Sequence, residues 1–303
     1  MKLTSVSSQT ASSIALGCMR LSSLAPSEVG RIIEEALENG INFFDHADIY
    51  GGGQSESLFG EYLSARPELR SKILIQDKCG ICSGYYDASA EHILSSVDAS
   101  LKRLHTDYLD VLLLHRPDAL MEPEEVASAF EALHRAGKVR FFGVSNMNAG
   151  QLALLDAAMP GRLVVNQLQL GIAHCNLIAE GINVNTDADQ AVERTGQVLD
   201  YCRLKGIQVQ AWSPLQFGMF SGPFLTSPLY QPLNARIQSL ADQYAVQPEA
   251  IAIAWILRHP AHIQVICGSM NPARLRSLCR AEAVHLPRPE WYELYKLAGN
   301  PLP

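Results

Sequence analysis

An α/β fold of eight strand-and-helix units closed into one (β/α)8 barrel is what this chain predicts, on three observations. Short apolar runs recur eight times, amphipathic stretches of helical period separate them, and no linker or shift of composition divides the 303 residues. Runs dense in Val, Ile, Leu and Phe are what strands covered on both faces require, as in a parallel sheet. Barrels of this TIM type commonly reach about 250 residues or more as one unit. Residues 1–303 therefore read as a single domain, with a short lead-in before about residue 14.

The runs, in order, are IALG (14–17), INFF (41–44), KILIQ (72–76), LDVLLL (109–114), VRFFGV (139–144), RLVV (162–165), IQVQA (207–211) and IQVIC (263–267). Between the first two, SEVGRIIEEALENG (27–40) places Ile32, Ile33, Ala36 and Leu37 on one stripe, with Ser27 as the expected N-cap and Gly40 as the stop. Helices are likewise expected over 89–104, 123–138 and 188–206, where Pro123 opens one and Gly137 and Gly206 close two. Residues 170–187 and 214–232 have the length of loops over a barrel mouth. A doubly wound sheet fits less well, because no G-x-G-x-x-G follows the first strand.

Composition narrows the function. With 48% hydrophobic and 18% charged residues the chain can bury a sizeable core. A net charge of −7 and the lack of any basic run argue against a nucleic-acid partner. The longest purely apolar stretch, 250–257, is too short to span a bilayer, and MKLTSVSSQTASS has no apolar core of a signal peptide. The expectation is a cytoplasmic protein, a monomer or weak oligomer, with a small-molecule partner. Seven scattered cysteines fit a reduced compartment. Cys79 and Cys82 in KCGICSG have CxxC spacing, but no second pair or matching histidines accompany them. The pair reads as incidental, with an oxidisable thiol near the active site as the lesser reading, and no metal site is expected.

Because the C-terminal ends of barrel strands all face one mouth, chemistry is sought just past each run. Those positions hold Arg20, Asp45, Lys78, His115, Ser145 with Asn146, Asn166 with Gln167, Trp212 with Ser213, and Ser269. Tyr50 follows Asp45 in FFDHADIYGGGQSE, ahead of three glycines that either bring its loop close to a ligand or form an ordinary turn before Ser55 as N-cap. A phenol releases its proton near pH 10, and an adjacent ammonium lowers that value. Lys78 could do this for Tyr50, and Asp45 would be the counterion a buried lysine needs. His115 could orient and polarise a carbonyl oxygen beside the tyrosine. Asp45, Tyr50 or Lys78 alone could be a capping, packing or surface residue, and His115 with Arg116-Pro117-Asp118 a structural turn; four in register point to proton transfer.

The stretches FFDHADIYGGGQSE, DKCG, LLLHRPD, GKVRFFGVSN, NQLQL and AWSPL resemble the motifs of the aldo-keto reductases, barrel oxidoreductases that use NAD(P)H, over about residues 14–295. DHADIYGG, KCGI and HRPD are especially similar to the YdhF-type bacterial oxidoreductases of that family. The resemblance implies Asp45, Tyr50, Lys78 and His115 as the catalytic group, with Tyr50 as the general acid. It implies that Ser145, Asn146 and Gln167 bond a nicotinamide carboxamide and that Trp212 stacks on the ring, where many relatives carry tyrosine. Arg20 and the stretch Ser213, Pro214, Leu215 to Gly218 would border the cofactor. In CGSMNPARLRSL, Gly268, Ser269 and Arg274 would lie along the 2′-phosphate and adenine, with Arg276 close enough to help. Gly268 replaces a commonly seen lysine and Leu278 an adenine-side asparagine, which weakens the clamp. NADPH is still favoured over NADH. Met19, Tyr85, Tyr86, Phe217 and Phe220 would make a largely apolar substrate pocket for an uncharged aldehyde. Two other readings compete: a nicotinamide-binding regulatory subunit with little turnover, which the lack of an N-terminal inactivating segment disfavours, and a Schiff-base lyase using Lys78.

Overall fold

A computed structural model describes residues 10–303, and in it eight parallel strands close into a barrel in chain order. They are β1 (Ile14–Gly17), β2 (Phe43–Asp45), β3 (Leu74–Cys79), β4 (Leu109–Leu114), β5 (Val139–Ser145), β6 (Leu163–Gln169), β7 (Gln208–Trp212) and β8 (Gln264–Cys267). β8 returns to β1, with Ile14 opposite Val265 and Leu16 opposite Cys267, so the sheet has no open edge. The expected lead-in lies outside the described residues as far as residue 9.

Around the barrel run α1 (Pro26–Glu38), α2 (Gln54–Ser64), α3 (Ala90–Arg103), α4 (Pro123–Arg135), α5 (Ala149–Ala158), α6 (Asn176–Ile182), α7 (Val198–Lys205), α8 (Gln231–Tyr244), α9 (Pro248–Leu257), α10 (Pro272–Cys279) and α11 (Arg288–Leu297). None of the described helices is long and apolar enough to cross a membrane. Two expected caps are displaced. Ala25, not Ser27, is the N-cap of α1, because Pro26 sets the first helical φ and Glu28 accepts the Ala25 N–H at 2.9 Å. Gly53, not Ser55, precedes α2, and Ser55 instead accepts the Ser22 N–H at 3.2 Å.

The segment 188–206 is not one helix. Gly196 and Gln197 take left-handed φ of 65° and 54°, and the segment holds a single 3-10 turn at Asp189–Ala191 before the α-helix Val198–Lys205. The Arg194 N–H, at 3.1 Å, and the Thr195 N–H both donate to Glu180 of α6, which ties the irregular stretch down before α7 starts. Likewise 170–187 is not all loop, since it contains α6.

Side chains alternate across each strand, so one set fills the barrel and the other meets the helices. Ala15, Phe43, Leu74, Val111, Leu113, Val165 and Ile266 form the inner cluster. The runs are less uniformly apolar than a strand buried on both faces suggests. Gln76 and Gln210 reach across the barrel from β3 to β7 and exchange bonds of 2.9 and 3.0 Å, and Gln210 donates onward to Gln264 at 2.8 Å. These amides are mutually satisfied, which makes their burial tolerable. Towards the mouth the strands run on past their apolar residues, so Lys78, Ser145, Gln167 and Trp212 lie inside β3, β5, β6 and β7.

The β5–β6 register shifts between Phe142 and Gly143, and the shift brings Ser145 opposite Gln167. A Cβ on Gly143 would meet the Val165 carbonyl oxygen at 2.5 Å, so only glycine lets the strands approach there. Gly143→Ala is expected to cost about 1–3 kcal/mol through overpacking, measured by urea unfolding; unchanged stability would show that the neighbouring strand yields freely.

Candidate active site

The alternation that fills the barrel also delivers Asp45, Lys78 and Gln167 to its upper interior. Phe43 points inward, so Asp45 two residues on does too; the same step runs from Leu74 through Gln76 to Lys78. Lys78 is fully buried. Its ammonium donates to Asp45 at 2.8 Å, to the His46 carbonyl at 2.7 Å and to the Tyr50 hydroxyl at 3.2 Å. Asp45 also accepts from Gln76 at 2.6 Å and Gln167 at 3.0 Å, so its charge is met on several sides.

Tyr50 reaches this spot on a loop that only glycine can build. Gly51, Gly52 and Gly53 take φ of 59°, 63° and 89°, a region costly for other residues. A Cβ on Gly51 would fall 2.5 Å from the Ser22 side chain, and one on Gly53 would fall 2.9 Å from Arg103. The three glycines are thus required by the turn itself. Arg103, in turn, is held by the buried Glu56 carboxylate at 2.8 Å.

Burial is the largest influence on Tyr50 and carries its pKa above the phenol value, with the Lys78 ammonium opposing. The expected net lowering is therefore corrected: Lys78 offsets the desolvation of the phenolate without overcoming it. Burial also works against the ammonium of Lys78, but Asp45 and Tyr50 outweigh it and raise the pKa. A lysine held charged, with no exposure, is poorly suited to attack a carbonyl as a free amine, which removes the footing of the lyase reading. His115 is pushed down to about 2 by burial and by the Lys78 and Arg116 charges, so its imidazole is neutral. Its ring meets Tyr50 edge-on at 5.9 Å, and its Nδ1 is buried without a partner among the described residues.

Above these groups opens a cavity of about 880 Å³. Asp45, Tyr50 and His115 line it, while Lys78 lies behind them. So do Arg20, Ser145, Asn146, Gln167, Trp212, Ser213, Pro214, Leu215, Gly268, Ser269 and Arg274. Gly218 does not border it: the Ser221 N–H donates to the Gly218 carbonyl in a tight turn that presents Met219 and Phe220 instead. Tyr85 and Phe217 are also off the wall, Phe217 packing on Tyr230 at 5.7 Å. Met19, Tyr86 and Phe220 are on it, joined by Ile49, Ile81, Arg116, Met219 and Asn271, which the sequence reading left out.

The donor set suits an elongated anionic dinucleotide. The Trp212 indole N–H donates to Asn146 at 3.1 Å, Asn146 to Ser145 at 2.8 Å, and Ser145 to the Gln167 carbonyl at 2.9 Å. That chain pins the indole and leaves the Gln167 amide oxygen without a protein donor among the described residues. Farther along, Arg20 and Arg274 line the groove with no carboxylate partner among the described residues, and Arg274 sits in the first turn of α10, its backbone N–H held by the N-cap Asn271 at 3.1 Å. Arg276 is corrected: it is engaged bidentately by Glu35 at 2.7 and 2.8 Å and is not available to a phosphate. Gln76 and Gln210 were missed as support for Asp45; the signal was a polar residue at every second place inside otherwise apolar runs.

Comparison with known proteins agrees with this geometry. The sequence model described as Aldo/keto reductase family matches residues 13–298. A 6-dehydroglucose reductase of Agrobacterium fabrum is 40% identical, covering 90% of this chain and 89% of the relative. Oxidoreductase YdhF of Escherichia coli is 38% identical, covering 88% and 86%. The crystal structure of a thermostable aldo-keto reductase, Tm1743, superposes with a TM-score of 0.76 at 24% identity, covering 95% of this chain and 96% of the other, which speaks for the fold.

Removing one partner of a buried ion pair strands the other charge. Lys78→Met is expected to destabilise the protein by about 3–5 kcal/mol and Lys78→Met with Asp45→Asn by clearly less, as read by urea unfolding. Equal losses in the two variants would mean that the pair is not what holds Asp45 in place.

Proposed function

We propose, from the premise that this chain belongs to the aldo/keto reductase family of NAD(P)H-dependent oxidoreductases, that it reduces an aldehyde or ketone to an alcohol with NADPH and that Tyr50 supplies the proton. The observation that carries this reading is the Tyr50 hydroxyl at the cavity wall, 3.2 Å from a buried ammonium that Asp45 holds. NADPH, when bound, supplies the hydride. Tyr50 donates its proton to the carbonyl oxygen as negative charge gathers there, and Lys78 compensates the phenolate left behind. Asp45 keeps the ammonium in position and is not itself a proton carrier. His115, neutral, turns an N–H towards the carbonyl oxygen and orients it beside the phenol.

Arg274, with Arg20 farther along the groove, supports the choice of NADPH: a guanidinium fits a phosphate in two-point contact, whereas NADH has only the ribose hydroxyl there. The wall formed by Met19, Ile49, Ile81, Tyr86, Met219 and Phe220 suits a neutral carbonyl compound. The Agrobacterium fabrum relative is named for reduction of 6-dehydroglucose, a reason to include neutral sugar-derived aldehydes in any substrate panel.

Tyr50→Phe should abolish reduction of such a panel while cofactor affinity, followed by nicotinamide fluorescence, changes little; retained turnover would remove Tyr50 as the acid. The pH profile of kcat/KM should show no ionisation near the ordinary histidine value, because His115 is already neutral there with its pKa at about 2. Its basic limb should lie above the usual phenol range, since burial raises Tyr50; a limb near neutrality would contradict the assignment. Arg274→Ala should weaken NADPH by about tenfold or more, the loss of a charge-assisted contact worth ~1.5–3 kcal/mol, and leave NADH nearly unchanged, read by the same titration.

A further inference from the structure

The CxxC pair divides into two different environments. Cys79 closes β3, packs into the core around the barrel, and has its thiol driven well above the usual range by burial. Cys82 lies beyond it, partly exposed, in a small hairpin-like turn before α3. Ile81 and Tyr86 pair antiparallel across the turn, the Cys82 N–H donates to the Tyr85 carbonyl at 3.0 Å, and Gly84 takes a φ of 88° at the tip. The Asp87 N–H then donates to the Gly80 carbonyl at 3.0 Å. This folding back sets Cys82 and Asp87 side by side, facing His92 in the first turn of α3.

The three side chains converge. Cys82 Sγ is 3.9 Å from His92 Nε2, Asp87 Oδ2 is 4.0 Å from His92 Nδ1, and one donor atom from each residue lies within 4.8 Å of the others. The other Asp87 oxygen, Oδ1, accepts the Ser89 N–H at 2.9 Å, which leaves Oδ2 towards the histidine. Nothing in the proposed reaction uses any of them.

We propose that Cys82, Asp87 and His92 form a site for a zinc-type divalent cation, with the fourth coordination position open to solvent. Tetrahedral zinc holds N, O and S ligands at about 2.0–2.3 Å, which puts neighbouring ligand atoms roughly 3.5 Å apart. The 3.9 and 4.0 Å separations run to opposite nitrogens of His92, and a set with one atom from each residue spans up to 4.8 Å, so a bound ion would draw the three side chains together by up to about an ångström through rotation of their χ angles. The ligand types select the metal: thiolate and imidazole favour zinc over calcium or magnesium, which take oxygen. The start of α3 carries positive partial charge and disfavours a bare cation, but thiolate and carboxylate together supply two negative charges and neutralise a divalent ion. Because Ile81 and Tyr86 line the main cavity, the cation would brace that part of its wall.

The test uses the full chain, freed of metal with a chelator and titrated with Co²⁺, then Zn²⁺. One equivalent of Co²⁺ should bring a thiolate-to-cobalt charge-transfer band, and Zn²⁺ should displace it. Cys82→Ser should abolish the band and weaken Zn²⁺ by about 100-fold or more, and Asp87→Asn and His92→Gln should each weaken it by about tenfold or more, as loss of a ligand requires. Absence of the band, or its persistence in Cys82→Ser, would overturn the proposal. So would Zn²⁺ affinity unchanged in any of the three variants.

Discussion

A buried ammonium cannot stand without a counterion, and the pairing of Lys78 with Asp45 is the constraint from which the rest of the mouth follows. The two residues occupy neighbouring strands, so their contact depends on β2 and β3 keeping the register that sets Asp45 opposite Gln76. Gln76 and Gln167 complete the shell of Asp45 from β3 and β6, and Gln210 ties both amides to β7. A charge pair sited within this closed hydrogen-bonded layer has little freedom to relax. The phenol of Tyr50 meets an ammonium already in place, which is the sense in which such a site is preorganised.

The second requirement is a route for Tyr50 to reach that ammonium. The chain leaves β2, makes a short turn and passes through three consecutive left-handed glycines before α2 begins. Ser22 on one side and Arg103 on the other leave no space for a Cβ at Gly51 or Gly53. Arg103 is anchored by Glu56 inside α2, so the wall that forces glycine into the turn is itself fixed by the helix that follows. Backbone permissiveness here is the means of placing a functional side chain.

Net charge conceals the local field. The chain carries −7 overall, yet Arg20, Arg116 and Arg274 border the cavity with Lys78 just beneath it. Such a concentration of positive charge in a concave site attracts anions whatever the total charge. Two buried histidines respond to the ammonium of Lys78 in the same direction: burial and that charge hold His46 at about 3 and, with Arg116, His115 at about 2, so both are neutral. The mouth therefore combines fixed cations with neutral hydrogen-bonding groups, a division of labour suited to developing oxyanions.

By itself the sequence determined the barrel, the order of its strands and the candidate groups Asp45, Tyr50, Lys78 and His115, because apolar runs, helical periodicity and polar residues at run ends are local patterns. It also marked the glycines beside Tyr50, though not which reason they served. Only the tertiary structure decided the rest. Ser27 could not be told from Ala25 as a cap until Glu28 folded back on it, Gly196 and Gln197 broke a segment that reads as helix, and Arg276 met Glu35, a partner far away in the chain. The net rise in the Tyr50 pKa is likewise non-local: desolvation comes from everything packed around the ring, whereas the sequence displays only the neighbouring charge. Periodicity is written in adjacent residues; burial, ion-pair choice and the convergence of Cys82, Asp87 and His92 depend on distances that exist only after the chain has folded.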